Sequence, residues 1–214
     1  MIESRFFKVT SHKNPLITIQ VAPGHFATGS SHISHYIDIS ELKSSSSAAK
    51  NAARELAMPY LANNIVDVIV CMEGTEIIAA YLADELLQPG LTVMNEGDEI
   101  YVFTPMNTSH GHFIFHDNVQ KKVYNKNVVL MVASMSTGAT VNRALEFLTY
   151  YGANLIGISA VFSAFPEIGG RQVHSLFTCD DIPDYYFYRP SVCSMCREGR
   201  KLDAIINSEG YTKI

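Results

Sequence analysis

Short uninterrupted apolar runs alternate with stretches of helical periodicity through the middle of the chain. Val128–Val132 is a continuous apolar run, and Val66–Cys71 and Asn154–Phe162 are largely apolar, the pattern of buried strands. Between them, Ile78, Tyr81, Leu82 and Leu86 recur at helical spacing within Thr75–Leu87, and Pro89-Gly90 stops that helix. Ala139–Tyr151 repeats the helical pattern. Ala48–Ala62 is a third such stretch; the serines of Ser44–Ser47 before it read as helix caps rather than as a linker. Weaker strand signals cover Leu16–Val21 (ended by Pro23-Gly24), Tyr36–Ile39, Leu91–Met94, Glu99–Phe103 and Val173–Phe177. Thr104–Asn118 has no periodicity and reads as a polar loop. The alternation predicts an α/β fold, a mostly parallel sheet flanked by helices on both faces. In such sheets ligands sit beyond the carboxyl ends of the strands. Cys71–Thr75, Thr104–Asn118 and Ala133–Ala139 are the loops expected there.

Composition narrows the picture. The chain has 214 residues, 47% of them hydrophobic and only 17% charged, enough for one sizeable core under a Ser-, Asn- and Tyr-rich surface. The formal net charge of -5 gives no long-range attraction for nucleic acid. No apolar run approaches the roughly 18–20 residues of a membrane span, and the N-terminus has no signal-peptide core. The expectation is a cytoplasmic protein without nucleic-acid or membrane partners. Cys71 ends an apolar strand and reads as a reduced thiol. Cys193-x-x-Cys196 is half of a zinc site, with Cys179 as the candidate third ligand. No second pair is present, and an ordinary reduced tail is the preferred reading. His110, His112 and His116 read as a solvated loop rather than a metal site, and His32 and His35 as polar residues near the site mouth. Tyr185–Tyr188 is an aromatic cluster suited to packing on the sheet or in a dimer interface.

The stretch that carries chemistry is Val128–Leu145, VVLMVASMSTGATVNRAL. An apolar strand meets a small, hydroxylated, glycine-bearing loop and then a helix start. Ser134, Ser136, Thr137, Gly138, Ala139 and Thr140 would aim backbone N–H groups and hydroxyls at one point, which is how phosphate is held. Gly138 would allow close approach and unusual dihedrals. The plainer alternative is a strand-to-helix turn whose hydroxyls cap the helix. Nothing in the stretch before Arg143 is charged.

This loop resembles the phosphoribosyl-pyrophosphate signature of type I phosphoribosyltransferases. Ser136–Thr140 match the segment that holds the ribose 5′-phosphate in that family. The two acidic positions that grip the ribose hydroxyls fall on Val132 and Ala133. Cys71, Met72, Glu73 and Gly74 occupy the position of the family's short pyrophosphate loop, where Glu73 would repel a pyrophosphate or, alternatively, favour the following helix start. His25–Gly29 followed by Tyr36-Ile37-Asp38 is similar to the N-terminal segment of orotate phosphoribosyltransferases. Tyr101–Asn107 with His110-Gly111 resembles their mobile catalytic loop, with Phe103, Thr104 and Asn107 where that family carries charged residues. Cys193–Gly199 resembles a C-terminal segment of some members.

The resemblance implies a phosphoribosyltransferase-like α/β core over residues 44–180, an N-terminal hood over 1–43 and a tail over 181–214 that packs on the core or on a dimer partner. Related enzymes complete their sites across a two-fold dimer, so a homodimer is expected. Transfer from phosphoribosyl pyrophosphate needs cations or Mg²⁺ to take up the leaving charge. The neutral residues at the family's charged positions favour a protein that binds a phosphorylated ribose or nucleotide with weak or lost transferase activity. An active pentosyltransferase of nucleotide metabolism, acting on a base such as orotate in pyrimidine biosynthesis and using Mg²⁺, is the alternative. No other cofactor is expected, and no catalytic residue is assigned.

Overall fold

The computed structural model describes residues 1–62, 64–72, 74–89, 94–95, 99–109 and 111–214. A hood comes first: β1 (Phe7–Thr10), β2 (Thr18–Ala27) and β3 (His32–Asp38), followed by α1 (Ser40–Ser44) and α2 (Ser46–Ala57). The central unit then runs β4 (Val68–Cys71), α3 (Glu76–Leu87), β5 (Tyr101–Phe103), a small hairpin of β6 (Met106–Asn107) and β7 (Phe113–Ile114), α4 (Asp117–Val123), β8 (Asn127–Met135), α5 (Ala139–Tyr150), β9 (Asn154–Ser163), β10 (Glu167–Ile168) and β11 (Arg171–Thr178). The tail contributes β12 (Phe187–Tyr188), α6 (Ser194–Arg197), β13 (Ala204–Asn207) and β14 (Gly210–Lys213).

The central sheet has the order β10-β11-β9-β8-β4-β5. Its pairs are parallel except for β10 with β11. Successive side chains of a strand leave on opposite faces, and β8 shows the consequence. Val129 and Met131 enter a core shared with α2 and α3, whereas Val128, Leu130 and Val132 enter a second core under α5. Strand β4 divides likewise, with Ile69 and Cys71 on one side and Val68 and Val70 on the other. β4 and the Val128–Ala133 stretch of β8 are therefore apolar without interruption. Each fully buried aliphatic side chain contributes about 1.5–3 kcal/mol.

The hood and tail share one sheet, of order β12-β3-β2-β13-β14 with β1 also on β2. Residues 181–214 thus supply three of the strands that complete the hood. Ser45 caps α2 by accepting from the Ala48 N–H, and the helix ends before Pro59 rather than reaching residue 62. Proline lacks the N–H needed to continue it and disfavours helical geometry in the residue before it.

Two further sequence expectations change, and a third falls largely outside the described residues. Pro23-Gly24 does not end β2; the strand continues to Ala27 across a register shift between Pro23 and Phe26, where the ladder loses the N–H that proline lacks. Gly24 is needed for close approach: a Cβ there would lie 2.6 Å from Asp203 Oδ2. Thr104–Asn118 is not a plain loop, since β6 and β7 pair and α4 starts at Asp117, with Phe115 buried against Phe147 and Tyr151. The strand expected at Leu91–Met94 falls mostly on residues 91–93, outside the described residues; Met94 lies in a turn.

One packing contact generates a stability prediction. Tyr60 is wholly buried, its hydroxyl is 2.9 Å from Ser159 Oγ, and a Cβ on Gly157 would lie 2.4 Å from its ring. Gly157→Ala should destabilise the chain by about 1–3 kcal/mol, the usual cost of overpacking, read as a lower urea midpoint. An unchanged midpoint would show that Tyr60 moves aside freely.

Candidate functional site

Strand β8 runs on to Met135, so the turn into α5 is shorter than the sequence suggests: Ser136, Thr137 and Gly138. Gly138 is the helix N-cap, with φ +75°, a left-handed conformation open to glycine. Its missing Cβ would point at Ile168 Cδ1, 2.6 Å away, so packing against β10 as well as backbone conformation demands glycine. The turn presents the first N–H groups of the twelve-residue helix α5, which have no partners within the helix and carry the positive end of its dipole.

This helix end opens on a cavity of about 780 Å³. Residues 133–141 and Arg143 form one wall, hood residues 28–31 and 36–40 with Lys43 and Ser44 a second, and tail residues 206–210 a third. The cavity is therefore built between the central sheet and the hood, with the C-terminal hairpin closing it. The turn is tied across to the hood by Ser30 Oγ and Thr137 Oγ1, 3.4 Å apart. Behind it, the hydroxyl of Tyr185 lies 3.0 Å from Ser136 Oγ. Tyr185 is buried, which pushes its pKa up to about 12 and keeps the phenol neutral. It packs edge-on against Phe162 and stacks on His35. The aromatic tail thus supports the turn into α5, a role its sequence did not disclose.

Charge enters from elements the motif reading did not use. Lys43 of α1 lines the cavity and donates to the Ser208 carbonyl at 3.1 Å. It crosses directly over Gly74, where a Cβ would meet Lys43 Cε at 2.8 Å. Arg143, one turn into α5, donates to the Gly111 carbonyl at 3.1 Å. Asp38 and Glu209 are the carboxylates on the cavity wall. Asp38 Oδ1 already accepts from both the N–H and the hydroxyl of Ser40.

Of the other positions singled out in the sequence, Ala133 lines the cavity, whereas the described residues of the pyrophosphate-loop and mobile-loop positions are absent from its lining. Cys71 and Met72 are buried, and Gly74 has φ +75°; Glu73 and His110 lie outside the described residues. Burial pushes the Cys71 thiol up to about 11, with a hydrogen bond to Thr104 opposing the shift. Thr104 Oγ1 is 3.1 Å from that sulfur and donates to Glu76 at 3.0 Å. Phe103 stacks on Tyr101, Asn107 is exposed on β6, and Gly111 reaches the site only through Arg143. Val132 and Ala133 are buried at 1% and 4% exposure. Val132 belongs to the core under α5, which leaves it no path to a ligand.

The cysteine and histidine expectations also change. Cys179 does not approach Cys193 or Cys196; its sulfur faces the Ala164 carbonyl. The groups facing that pair are His25 and His32. His35 is buried beside Ser34 and Tyr185 rather than standing at the cavity mouth.

No family model matches the sequence, and no curated protein does. Solved structures do. The UMP synthase of Leishmania donovani superposes with a TM-score of 0.52 at 18% identity, over 75% of this chain and 34% of that one, so the chain spans about a third of that protein. A phosphoribosyltransferase from Corynebacterium diphtheriae matches at 0.50 and 18% identity, over 76% and 90%. The adenine phosphoribosyltransferase of Leishmania tarentolae matches at 0.52 and 13%, over 75% and 85%. The chain has the type I phosphoribosyltransferase fold. Within that fold, the turn into α5 sits at the carboxyl end of a central strand, where parallel α/β sheets place their ligands. Among the described residues no helix is long and apolar enough to cross a membrane.

Two measurements test this geometry. With its thiol raised well above neutrality, Cys71 should resist iodoacetamide in the native protein at pH 8, since only the thiolate reacts; rapid labelling seen by mass spectrometry would contradict the burial. Tyr185→Phe removes one hydrogen bond to the turn, a change of about 0.5–1.5 kcal/mol. Phosphate-monoester affinity should fall roughly three- to tenfold by calorimetry; unchanged affinity would show that the turn holds its shape without Tyr185.

Proposed function

We propose that the cavity binds a phosphorylated ribose compound, with a nucleoside monophosphate the best fit, and that transferase activity is weak or lost. The observation carrying this reading is the end of α5 opening on the cavity with Ser134, Ser136, Thr137, Gly138, Ala139 and Thr140 around it. The phosphate would rest on the N–H groups of the turn, with Lys43 and Arg143 at the periphery and the nucleoside between hood and tail. A helix N-terminus with flanking cations stabilises an anion there.

The case against efficient transfer is chemical. The reaction displaces pyrophosphate from the ribose anomeric carbon while positive charge develops on the sugar. Mg²⁺ would supply charge neutralisation at the departing oxygens, and it needs oxygen ligands. The family's acidic positions carry Val132 and Ala133, and Asp38 is committed to Ser40. The residues present do not fit a resident Mg²⁺ at those positions. A monoester demands less positive charge than pyrophosphate and suits the two cations available.

The second reading, an active phosphoribosyltransferase in nucleotide metabolism, is favoured by one observation: Lys43, Arg143, Asp38 and Glu209 place both signs of charge around the same cavity. Orotate, and with it pyrimidine biosynthesis, is the base suggested by the N-terminal and mobile-loop resemblance. A cytoplasmic homodimer completes the proposal, its motivation being a surface poor in charge. Sedimentation at micromolar concentration should give roughly twice the 23.7 kDa chain mass; a monomer would contradict it.

Calorimetry with nucleoside monophosphates and phosphoribosyl pyrophosphate, with and without Mg²⁺, tests the main reading. The monophosphate should bind more tightly. Lys43→Glu should weaken it at least about tenfold, or 1.4 kcal/mol, and Ser134→Asp should do the same by placing a carboxylate in the phosphate position. Turnover of phosphoribosyl pyrophosphate with orotate or adenine should stay well below about one per second, against a typical enzyme median of roughly 10 per second. Turnover at or above that level would establish the second reading instead.

A further inference from the structure

Away from the phosphate turn, the junction of hood and tail holds a second assembly. His25 near the end of β2, His32 at the start of β3, and Cys193 and Cys196 around α6 direct one donor atom each to a common point, all within 4.8 Å of one another. His25 Nε2 is 3.1 Å from His32 Nδ1. Cys193 Sγ is 3.5 Å from His25 Nε2. Cys196 Sγ is 3.7 Å from His25 Nε2 and 3.2 Å from His32 Nδ1. A tetrahedral Zn²⁺ with bonds of about 2.0–2.1 Å to nitrogen and about 2.3 Å to sulfur has donor-to-donor edges of roughly 3.3–3.8 Å. The four side chains already stand close to those edges.

The surroundings are those of a metal site as well. His25 Nδ1 is 2.9 Å from the Arg200 carbonyl oxygen. A carbonyl can only accept, so Nδ1 carries the proton and Nε2 offers its lone pair to the cluster. This is the outer hydrogen bond that orients a ligating histidine. The His25 backbone is fixed too: its N–H donates to Asp203 Oδ2 at 2.9 Å, and its carbonyl accepts from the Asp203 N–H at 2.7 Å. Asp203 is held in turn by Arg5. His25 and Cys193 are buried at 2% and 1% exposure.

We infer that His25, His32, Cys193 and Cys196 form a Zn²⁺ site that joins the tail to the hood. Two thiolates and two imidazoles in a tetrahedral arrangement select zinc over hard cations. Four protein ligands leave no open position, so the ion is structural rather than catalytic. Zinc enters as Zn²⁺ and the two thiols release their protons; no electron transfer is involved.

Its structural consequence reaches the cavity. The chain between His25 and His32 contains Thr28, Gly29, Ser30 and Ser31, all on the cavity wall, with Ser30 touching Thr137. On the other side, β13 leaves Asp203 and pairs with β2 at Phe26 and Ala27 before delivering residues 206–210 to the same cavity. The ion therefore pins both walls that face the phosphate turn. The metal assignment itself does not depend on the identity of the ligand bound there.

Metal analysis by mass spectrometry of the full chain, purified without added metal or chelating resin, should find about one zinc per chain. Cys196→Ser and His32→Ala should reduce that below roughly a fifth, while Cys179→Ser should leave it unchanged. Chelator-stripped wild type should lose at least about 5 °C in melting temperature and recover it with Zn²⁺. Reconstitution with Co²⁺ should give the visible spectrum of a tetrahedral two-thiolate centre, a readout that requires no variant to fold. Stripped, reduced protein that neither takes up Zn²⁺ nor gains stability from it would overturn the inference. So would a Cys193–Cys196 disulfide in protein purified under reducing conditions.

Discussion

Strand β8 is covered on one face by the core of α2 and α3 and on the other by α5. From Val128 no polar side chain interrupts it before Ser134, its first exposed residue. The chain must then reverse onto the sheet within a few residues, and a left-handed Gly138 makes that reversal and starts α5. The unpaired N–H groups of the helix are thereby held at the sheet's carboxyl edge, on a support that cannot shift without disrupting two cores. Double burial of β8 fixes where the turn stands and keeps position 132 inside the core. Val132 points into the core under α5, and a carboxylate there would have to be desolvated or repack that core.

The electrostatic balance follows from where charge was placed. Positions 132–140 are neutral, and the cations that approach the cavity come from α1 and from the interior of α5. Lys43 is held over Gly74 by the Ser208 carbonyl, so the turn after β4 has a cation beside it that its own sequence lacks. Among the described residues, two cations and two carboxylates around the cavity give no strong net field. That suits a singly phosphorylated ligand bound by directional N–H groups better than a pyrophosphate bound by bulk positive charge.

What the sequence disclosed was local. Largely apolar runs marked β4, β8 and β9, and helical spacing marked α3 and α5, because burial on two faces or along one stripe leaves an imprint in the sequence. The turn at Ser136–Gly138 was legible because its function depends on consecutive small residues. Contacts set by distant pairing left no such imprint. Nothing in a Tyr-rich tail announces that Tyr185 meets Ser136, and nothing in α1 announces that Lys43 crosses Gly74. The cysteine pair was visible at its two-residue spacing, but its partners lie 168 and 164 positions away on a strand pair. One of them, His25, falls in a strand that a Pro-Gly pair had seemed to end. A register shift at a proline is the kind of irregularity that local pattern cannot anticipate.

The tail consequently does more than cover an edge. Strand β13 joins β2 in parallel, a pairing that a long return connection must bring about and that is costly in chain entropy until long-range contacts repay it. Only two residue pairs hold that register, Phe26 with Ala204 and Ala27 with Ile205. So short a ladder is marginal by itself. The reciprocal bonds between His25 and Asp203, reinforced by Arg5, secure its start, and the four-ligand cluster lies immediately beside it. Since the same strands carry both walls opposite the phosphate turn, the strength of the hood–tail junction sets how firmly the cavity is closed. The cavity is thus backed by two cores on the side of the α5 turn and by a two-pair ladder on the side of the tail.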